Sequence, residues 1–536
     1  MNAQIPRSAL NRREFLASTA LAATGAMFVP RSIWAIPARS SRAVESFAPP
    51  LMAPEHLRTL ATTVLDAAVQ AGAQFADVRV SDLRSFSGGD QSGNQLAFRF
   101  GCGIRARIAG RDAFIATADP TLDGLAHAAR SVVAAARDLA GDSTTEAPLA
   151  PTPMVTGEWA TPIEIDPFSI SPDEHVAVVH GLNSFGRRAI AKTFTEFYVG
   201  GIQWDSETRV FASSDGTLLT QHTLLAMPGA SLRVNDSSAG ASLGVSGFGP
   251  QSVGVEAFLG NAVHERFESA VDEYATLLGY PTTMGEVGRK PVVLDGQAFS
   301  LLIGQTLVPA LTMNRVSGEE QNSVGTSFLV PPEAVLGQPL FAPVLQLQVN
   351  STTPAFRAAK WDDDGIATAP TVLIEDGKVM RYLGTRHNPP AGTTPPVLGT
   401  AFAANVMTAP SPCPGAFKIA PAAHGMSLPN LIATVRDGYL VRNARIHPDQ
   451  QGMGGVLMPE MLFEVKRGRI ARRVVGTRLE FSTKKVLHAI PALGNAETVA
   501  DTSTTITGGL PTSNTLFTLR GPAAVTTEMN IVPNRR

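Results

Sequence analysis

The chain has 536 residues, more than one ordinary domain contains, so two or three domains are expected. Its composition is that of a globular protein, with 44% hydrophobic and 17% charged residues, and the net charge of −2 argues against a nucleic-acid surface. The 48 glycines and 39 prolines favour turns and strands over long helices. Cys102 and Cys413 allow at most one disulfide, and a buried free thiol at each is the simpler interpretation.

The N-terminal 38 residues have the pattern of an export signal. An arginine pair and a Phe-Leu pair precede a mildly apolar run that is too short to span a bilayer. The stretch N-R-R-E-F-L resembles a twin-arginine signal, and an amphipathic N-terminal arm is the alternative. We therefore expect residues 1–38 to be a signal peptide and the mature protein to be periplasmic or otherwise extracytoplasmic. The signal residues are Arg12, Arg13, Phe15 and Leu16.

Residues 50–150 are predicted to form an N-terminal α+β domain. Apolar residues at helical spacing predict a helix over residues 57–72, and a strand follows at residues 73–85. Two alternating runs with a bend at Gly110 predict a hairpin, and an alanine-rich helix then closes the domain.

A second α/β region is predicted over residues 151–285, after a joint rich in proline and threonine. Ser171 is a candidate helix cap, with acidic residues in the first turn that follows it. Steady alternation then predicts a meander of strands with turns at Gly200-Gly201 and Asp215-Gly216. A further helix is predicted to end at Gly279.

Short strands dominate the pattern of residues 286–536. Asp362, Asp363 and Asp364 stand in a row before Gly365, but consecutive acids do not match the alternating ligands of a calcium loop. We interpret them as an acidic turn before a hairpin whose own tight turn is Glu375-Asp376-Gly377. The predicted fold class is α+β, with a helix and strand-hairpin domain followed by a strand-rich mixed C-terminal domain.

The stretch D-D-D-G-I-A-T-x-P-T-V-L-I-E-D-G-K-V at residues 362–379 also resembles a block of the TldD/PmbA family. Blocks at residues 72–80, 101–119, 288–305, 428–445, 463–479 and 494–503 resemble further parts of that family in the same order. The resemblance covers nearly the whole predicted mature chain. It implies a TldD/PmbA-like fold in a family whose members work as paired subunits of a metallopeptidase and associate as dimers enclosing a cavity.

The resemblance breaks down at the metal site of the family. Metal-bearing members carry H-E-x-x-x-H on a helix after the P-V-V-L strand and a cysteine near the C-terminus, a set suited to zinc and a general base. Here Gly304 and Pro309 stand at the two histidine positions, and Gln305 stands at the glutamate. Cys413 lies too early to replace the cysteine, and residues 502–509 offer hydroxyls only. We therefore predict no catalytic residue, no metal ligand and no cofactor in this chain.

The histidines elsewhere in the chain do not form a replacement ligand set in the sequence. We interpret each as a solvated or core histidine, with His387 beside a cleft and His424 and His447 in loops. The remaining histidines that we considered are His175, His180 and His264.

Three functions remain open from the sequence. The pattern resembles the metal-free PmbA-like branch, often called TldE, so the first is a non-catalytic subunit of an exported metallopeptidase assembly. The second is an active peptidase of the family with atypical ligands, and the third is a metal-free extracytoplasmic peptide-binding or scaffold protein. We expect a homodimer, or a heterodimer with a zinc-bearing TldD-like subunit, and a peptide substrate. The apolar residues 396–407 are predicted to be covered by that second subunit.

Overall fold

The computed structural model describes residues 51–88, 95–141, 149–190, 195–234, 241–244, 248–259, 261–352, 354–390, 398–509 and 512–534. The predicted signal residues Arg12, Arg13, Phe15 and Leu16 lie outside these ranges. Within them, the α-helices are α1 (Pro54–Gln70), α2 (Leu122–Ala140), α3 (Pro172–Ile190), α4 (Asn261–Leu278), α5 (Gly296–Ala310), α6 (Met313–Val316), α7 (Pro332–Val335), α8 (Leu428–Thr434) and α9 (Thr483–His488).

The N-terminal strands are β1 (Phe75–Gly88), β2 (Gln95–Ile108), β3 (Arg111–Thr117), β4 (Thr156–Ala160), β5 (Thr195–Ser213), β6 (Leu218–Val234) and β7 (Ala241–Gly244). The C-terminal strands are β8 (Thr282–Met284), β9 (Gly288–Leu294), β10 (Leu347–Val349), β11 (Thr371–Glu375), β12 (Lys378–Val379), β13 (Ala401–Phe402), β14 (Ser411–Pro412), β15 (Ala416–Ile419), β16 (Asp437–Pro448), β17 (Gly454–Lys466), β18 (Arg469–Val475), β19 (Thr477–Ser482), β20 (Ala492–Leu493), β21 (Ala500–Gly508), β22 (Ser513–Gly521) and β23 (Ala524–Pro533). This strand-rich arrangement confirms the predicted α+β class.

One seven-stranded sheet contains all the N-terminal strands. Its order is β3-β2-β1-β5-β6-β4, with β7 on β6, and every pairing is antiparallel except that of β4 with β6. Strands from residues 50–150 and from residues 151–285 therefore share a single sheet. The last strand of the second region, β8, instead pairs with β18 in the C-terminal part. Where the chain divides into domains stays a prediction.

Helices cover one face of this sheet because their apolar residues recur every three or four positions. Leu57, Leu60 and Val64 of α1 are buried in a cluster that also contains Val78 and Val80 of β1 and the apolar face of α2. Ser171 caps α3 as predicted: its hydroxyl accepts the Glu174 N–H, and the Glu174 carboxylate accepts the Ser171 N–H.

The predicted turn at Gly200-Gly201 is wrong. Both glycines lie within β5, where the pairing with β6 shifts between Val199 and Ile202. The shift is a bulge in a continuous strand. Glycine is common both in bulges and in turns, so the two glycines in the sequence do not distinguish one from the other. The turn at Asp215-Gly216 is confirmed, and Gly216 has a φ of 94°.

Two sheets enclose α5 in the C-terminal part. The six-stranded sheet has the order β12-β11-β10-β15-β22-β21, and the eight-stranded sheet contains β16, β9, β23, β19, β17, β18 and β8, with β20 on β23. α5 packs against β9 and β16 on one side and against β21 and β22 on the other. Because it is buried on almost every face, α5 is apolar all round rather than amphipathic.

The hairpin predicted after the acidic residues is confirmed. β11 and β12 pair across a turn in which Asp376 and Gly377 have φ angles of 48° and 73°. Two successive positive φ angles are those of a type I′ turn, which favours Asp-Gly. Elsewhere, the loop position predicted for His447 is wrong, since this residue pairs with Val456 inside β16. No helix of the described residues has the length and apolarity that crossing a membrane requires.

Candidate functional site

The three acidic residues before the hairpin are buried side chains that join two parts of the chain. Asp362, Asp363 and Asp364 are each only 2% exposed. They lie against the face of the N-terminal sheet that α1 and α2 do not cover. Successive side chains of a strand point to opposite faces, so the strand residues that meet the carboxylates alternate with those that pack against the two helices. The acidic turn is confirmed as a turn, but the sequence did not predict its burial.

Asp363 has the most ionic environment of the three. Its carboxylate pairs with Arg209 of β5, lies 3.6 Å from the Arg79 guanidinium of β1, and accepts the Ala403 N–H at 2.8 Å. Burial raises the pKa of Asp363, but the two arginines outweigh burial and hold the pKa below its usual value. Asp363 therefore stays charged.

Asp364 and Asp362 complete the anchor. Asp364 pairs with Arg105 of β2 at 2.6 Å and accepts the Arg386 N–H at 2.7 Å. Asp362 accepts the backbone N–H groups of Ala401, Asp364 and Ile366. Burial and the neighbouring Asp364 carboxylate raise the pKa of Asp362 well above its usual value, although the three N–H groups oppose this rise. Every carboxyl group of the row thus has protein donors, as buried polar groups require. These contacts give the row a structural explanation without a metal ion.

Arg105 links this anchor to a second acidic residue and to a histidine. Asp77 of β1 lies 2.7 Å from Arg105 and 3.6 Å from the His387 ring. Burial opposes the ionisation of Asp77, but Arg105 and His387 outweigh it and lower the pKa of Asp77 to about 2. His387, interpreted from the sequence as a solvated or core histidine, is a buried side chain whose Nδ1 lies 2.9 Å from an Asp112 carboxylate oxygen.

Two glycines of β2 allow residues 401–406 to approach the sheet closely. A Cβ at Gly101 would lie 2.3 Å from Val406, and one at Gly103 would lie 2.4 Å from the Val406 carbonyl oxygen. Residues 401–406 are buried there by their own chain. The prediction that a second subunit covers this apolar segment is therefore wrong for residues 401–406, while residues 396 and 397 lie outside the described ranges.

A small cavity remains between the sheet and these loops. Its volume is about 70 Å³, and Asp205 and Glu207 of β5 lie along its floor with Trp361 and Phe402 in its walls. Burial raises the pKa of Asp205. A volume of this size holds a few waters, far below the several hundred Å³ typical of ligand pockets. We therefore do not assign a substrate to this cavity.

The degenerate metal-motif residues lie on α5, and two of them, Gly304 and Gln305, contact β21 and β22. A Cβ at Gly304 would lie 2.6 Å from Leu519 Cδ1, and the Gln305 amide donates to the Thr504 hydroxyl and to the Thr505 carbonyl at 3.2 Å. Pro309 lies in the last turn of the helix and is buried. Side chains of β21 and β22 fill the space that a metal-binding side chain in place of Gly304 would need.

These residues do not fit a zinc ion. Zinc takes imidazole, thiolate or carboxylate donors, and the α5 face presents a hydrogen atom, a carboxamide and a proline ring instead. The adjoining strand β21 brings threonine hydroxyls, as the sequence predicts. In the described part of the chain, no group of three or more His, Cys, Asp or Glu side chains is placed to hold a metal.

The remaining candidate residues are dispersed. His175 is buried, and its Nε2 contacts the Pro167 carbonyl oxygen at 2.6 Å. His180 and His424 are exposed, and the side chain of His264 lies outside the described part of α4. Cys102 and Cys413 are buried free thiols, as predicted, and burial raises the pKa of each to about 12. Neither thiol is reactive at neutral pH.

Solved structures share this fold along most of the chain. TldE from Thermococcus kodakarensis is 14% identical with a TM-score of 0.64, covering 88% of this chain and 100% of that one. A candidate modulator of DNA gyrase from Bacteroides thetaiotaomicron is 18% identical with a TM-score of 0.63, covering 89% and 98%. Another from Thermotoga maritima is 15% identical with a TM-score of 0.63, covering 88% and 99%.

The sequence places this fold in a family. Residues 287–530 match the family model described as the PmbA/TldA metallopeptidase C-terminal domain, while no curated protein matches the chain. The matched region contains α5, the six-stranded sheet and the eight-stranded sheet apart from β8 and the last residues of β23. Residues 287–530 therefore belong to the TldD/PmbA family, as the sequence blocks within them predict.

Proposed function

We propose that this chain is a non-catalytic, TldE-like subunit of an exported metallopeptidase assembly that acts in peptide proteolysis. The observation that carries the proposal is the packing of α5. At the first histidine position and the glutamate position of metal-bearing members, Gly304 and Gln305 are held against β21 and β22. Pro309, at the second histidine position, is buried in the last turn of α5. In this proposal, zinc and the general base belong to a metal-bearing TldD-like partner, and this chain supplies no catalytic group.

The subunit claim predicts a stable complex. Co-expression of the mature chain with a homologue that keeps H-E-x-x-x-H is expected to give a heterodimer by size-exclusion chromatography with light scattering. The partner expressed alone is the control, and its peptide hydrolysis is expected to rise when this chain is added. A soluble monomer of this chain in both preparations, with no effect on hydrolysis, would remove the support for a subunit.

Export predicts a dependence on the arginine pair. Replacing Arg12 and Arg13 by lysine is expected to leave the precursor in the cytoplasm, because a guanidinium and an ammonium of equal charge differ in shape and hydrogen bonding. Cell fractionation and immunoblotting measure this result, and Arg7→Lys, outside the pair, is the matched control. Normal export of the Lys-Lys form would show that the protein does not use the twin-arginine route.

A further inference from the structure

A larger cavity opens on the C-terminal part of the molecule, away from the acidic anchor. It lies between the segment of residues 328–341 and α9, and its volume is about 480 Å³. This volume is within the range of small-molecule pockets, whereas the cavity beneath the N-terminal sheet is not. The metal-motif residues of α5 do not line this cavity, so an inference about the cavity does not depend on the subunit proposal.

The interior of this cavity is apolar. Leu329, Val335 and Phe341 are buried in the C-terminal core, and Phe328 packs against the same core. Val330 and Leu340 stand at the opening, with 47% and 36% of their surface exposed. A ligand that covers these two residues gains free energy by removing apolar surface from water.

Hydrogen bonds hold the walls in place. The Tyr382 hydroxyl donates to the Leu329 carbonyl at 2.8 Å, and the Phe341 N–H donates to the Gly377 carbonyl at 3.0 Å. The Ala342 N–H donates to the Leu487 carbonyl of α9 at 2.8 Å. Because three separate elements are tied together, the cavity exists before a ligand binds, and little ordering cost opposes binding.

One side of the opening is cationic because Lys484 and Lys485 of α9 line it. His488 lines the same side, and the three residues lie within about 100° of arc around the helix. No aspartate or glutamate is among the residues that line the cavity. The two ammonium groups are therefore available to an anion at the mouth of an apolar pocket.

We propose that this cavity binds a free medium-chain fatty carboxylate, with its alkyl chain among the apolar residues and its carboxylate beside Lys484 and Lys485. Apart from the His488 imidazole, the lining contains no neutral polar side chain, whereas the amide groups of a peptide would need hydrogen-bond partners when buried. The lining therefore favours a simple apolar-tailed acid over a peptide C-terminus. The lysines bind the carboxylate of the ligand, and the apolar lining binds its alkyl chain.

Calorimetric titration of the full-length protein with decanoate, below its micellar concentration, tests this proposal. Saturable binding is expected, at least about tenfold tighter than that of decanol, since one charge-assisted contact accounts for such a factor. A short peptide ending in leucine is expected to bind more weakly than decanoate. Absence of saturable binding, equal affinity for decanol, or tighter binding of the peptide would overturn the proposal.

Variants locate the site. The double variant Lys484→Gln/Lys485→Gln is expected to weaken decanoate binding about tenfold or more while leaving decanol binding unchanged. Leu340→Asn, at the exposed rim, is expected to weaken both ligands. Lys418→Gln is the matched control, because Lys418 is exposed on β15 and does not line the cavity. Unchanged decanoate affinity in the double variant would show that the acid binds elsewhere.

Discussion

Replacing Asp363 by asparagine is expected to lower the free energy of unfolding by about 3–5 kcal/mol. The substitution keeps the size of the side chain but removes the charge that Arg79 and Arg209 face. Arg79 is 1% exposed, so its guanidinium would keep a positive charge without its acidic partner and away from water. Urea denaturation followed by fluorescence measures the change.

A surface ion pair provides the control for this experiment. Glu528 lies 3.9 Å from Arg289, and both side chains are more than half exposed. Glu528→Gln is expected to change the free energy of unfolding by less than about 1 kcal/mol. If Asp363→Asn were as mild as Glu528→Gln, the acidic row would not be the anchor between the sheet and the C-terminal loops.

Introducing histidine at Gly304 is expected to destabilise the protein by about 2–4 kcal/mol and not to restore a metal site. The new Cβ would overlap Leu519, which is 1% exposed within the C-terminal core, and the imidazole would be buried beside an apolar side chain. Thermal and urea denaturation measure the loss, and Leu519→Ala in the same chain is expected to recover part of it by making room.

The matched control places the same residue at an exposed helical glycine. A Cβ at Gly181 of α3 has no heavy atom within 4 Å. Gly181→His is therefore expected to be neutral or slightly stabilising, because glycine is the poorer helix former. If histidine at Gly304 changed the stability as little as histidine at Gly181, the α5 face would have room for a side chain, and the account of its packing would be wrong.

Much of the local structure follows from patterns in the sequence. Apolar residues at helical spacing predict α1, and Asp376-Gly377 predicts the turn between β11 and β12. The loss of metal ligands at Gly304 and Pro309 is also visible in the sequence once the family blocks are aligned in order. These features depend on nearby residues, so tertiary contacts do not override them.

The buried anchor depends on contacts between distant segments. Asp77 and Arg79 alternate with valines in β1, which is also the pattern of a strand with one solvated face. Only the position of Asp363 and Asp364 beneath that face shows that the charges are paired and buried. The spacing of Gly101 and Gly103 on one face of β2 was the available signal, because it indicates close approach of another segment.

The prediction that a second subunit covers residues 396–407 failed at residues 401–406 for a related reason. The sequence shows an apolar, loop-like segment and does not show what covers it. Gly101 and Gly103 make room for Val406, so the same chain buries residues 401–406. A second subunit, if it binds as proposed, contacts another surface.

The zinc content of the purified mature chain tests the account most directly. The protein is exposed to zinc, dialysed extensively and measured by elemental analysis, with a homologue that keeps H-E-x-x-x-H treated in parallel. The packing of Gly304 and Gln305 predicts far less than one zinc per chain and no peptide hydrolysis by this chain alone. One tightly held zinc per chain, together with peptide hydrolysis by the isolated chain, would contradict the non-catalytic assignment.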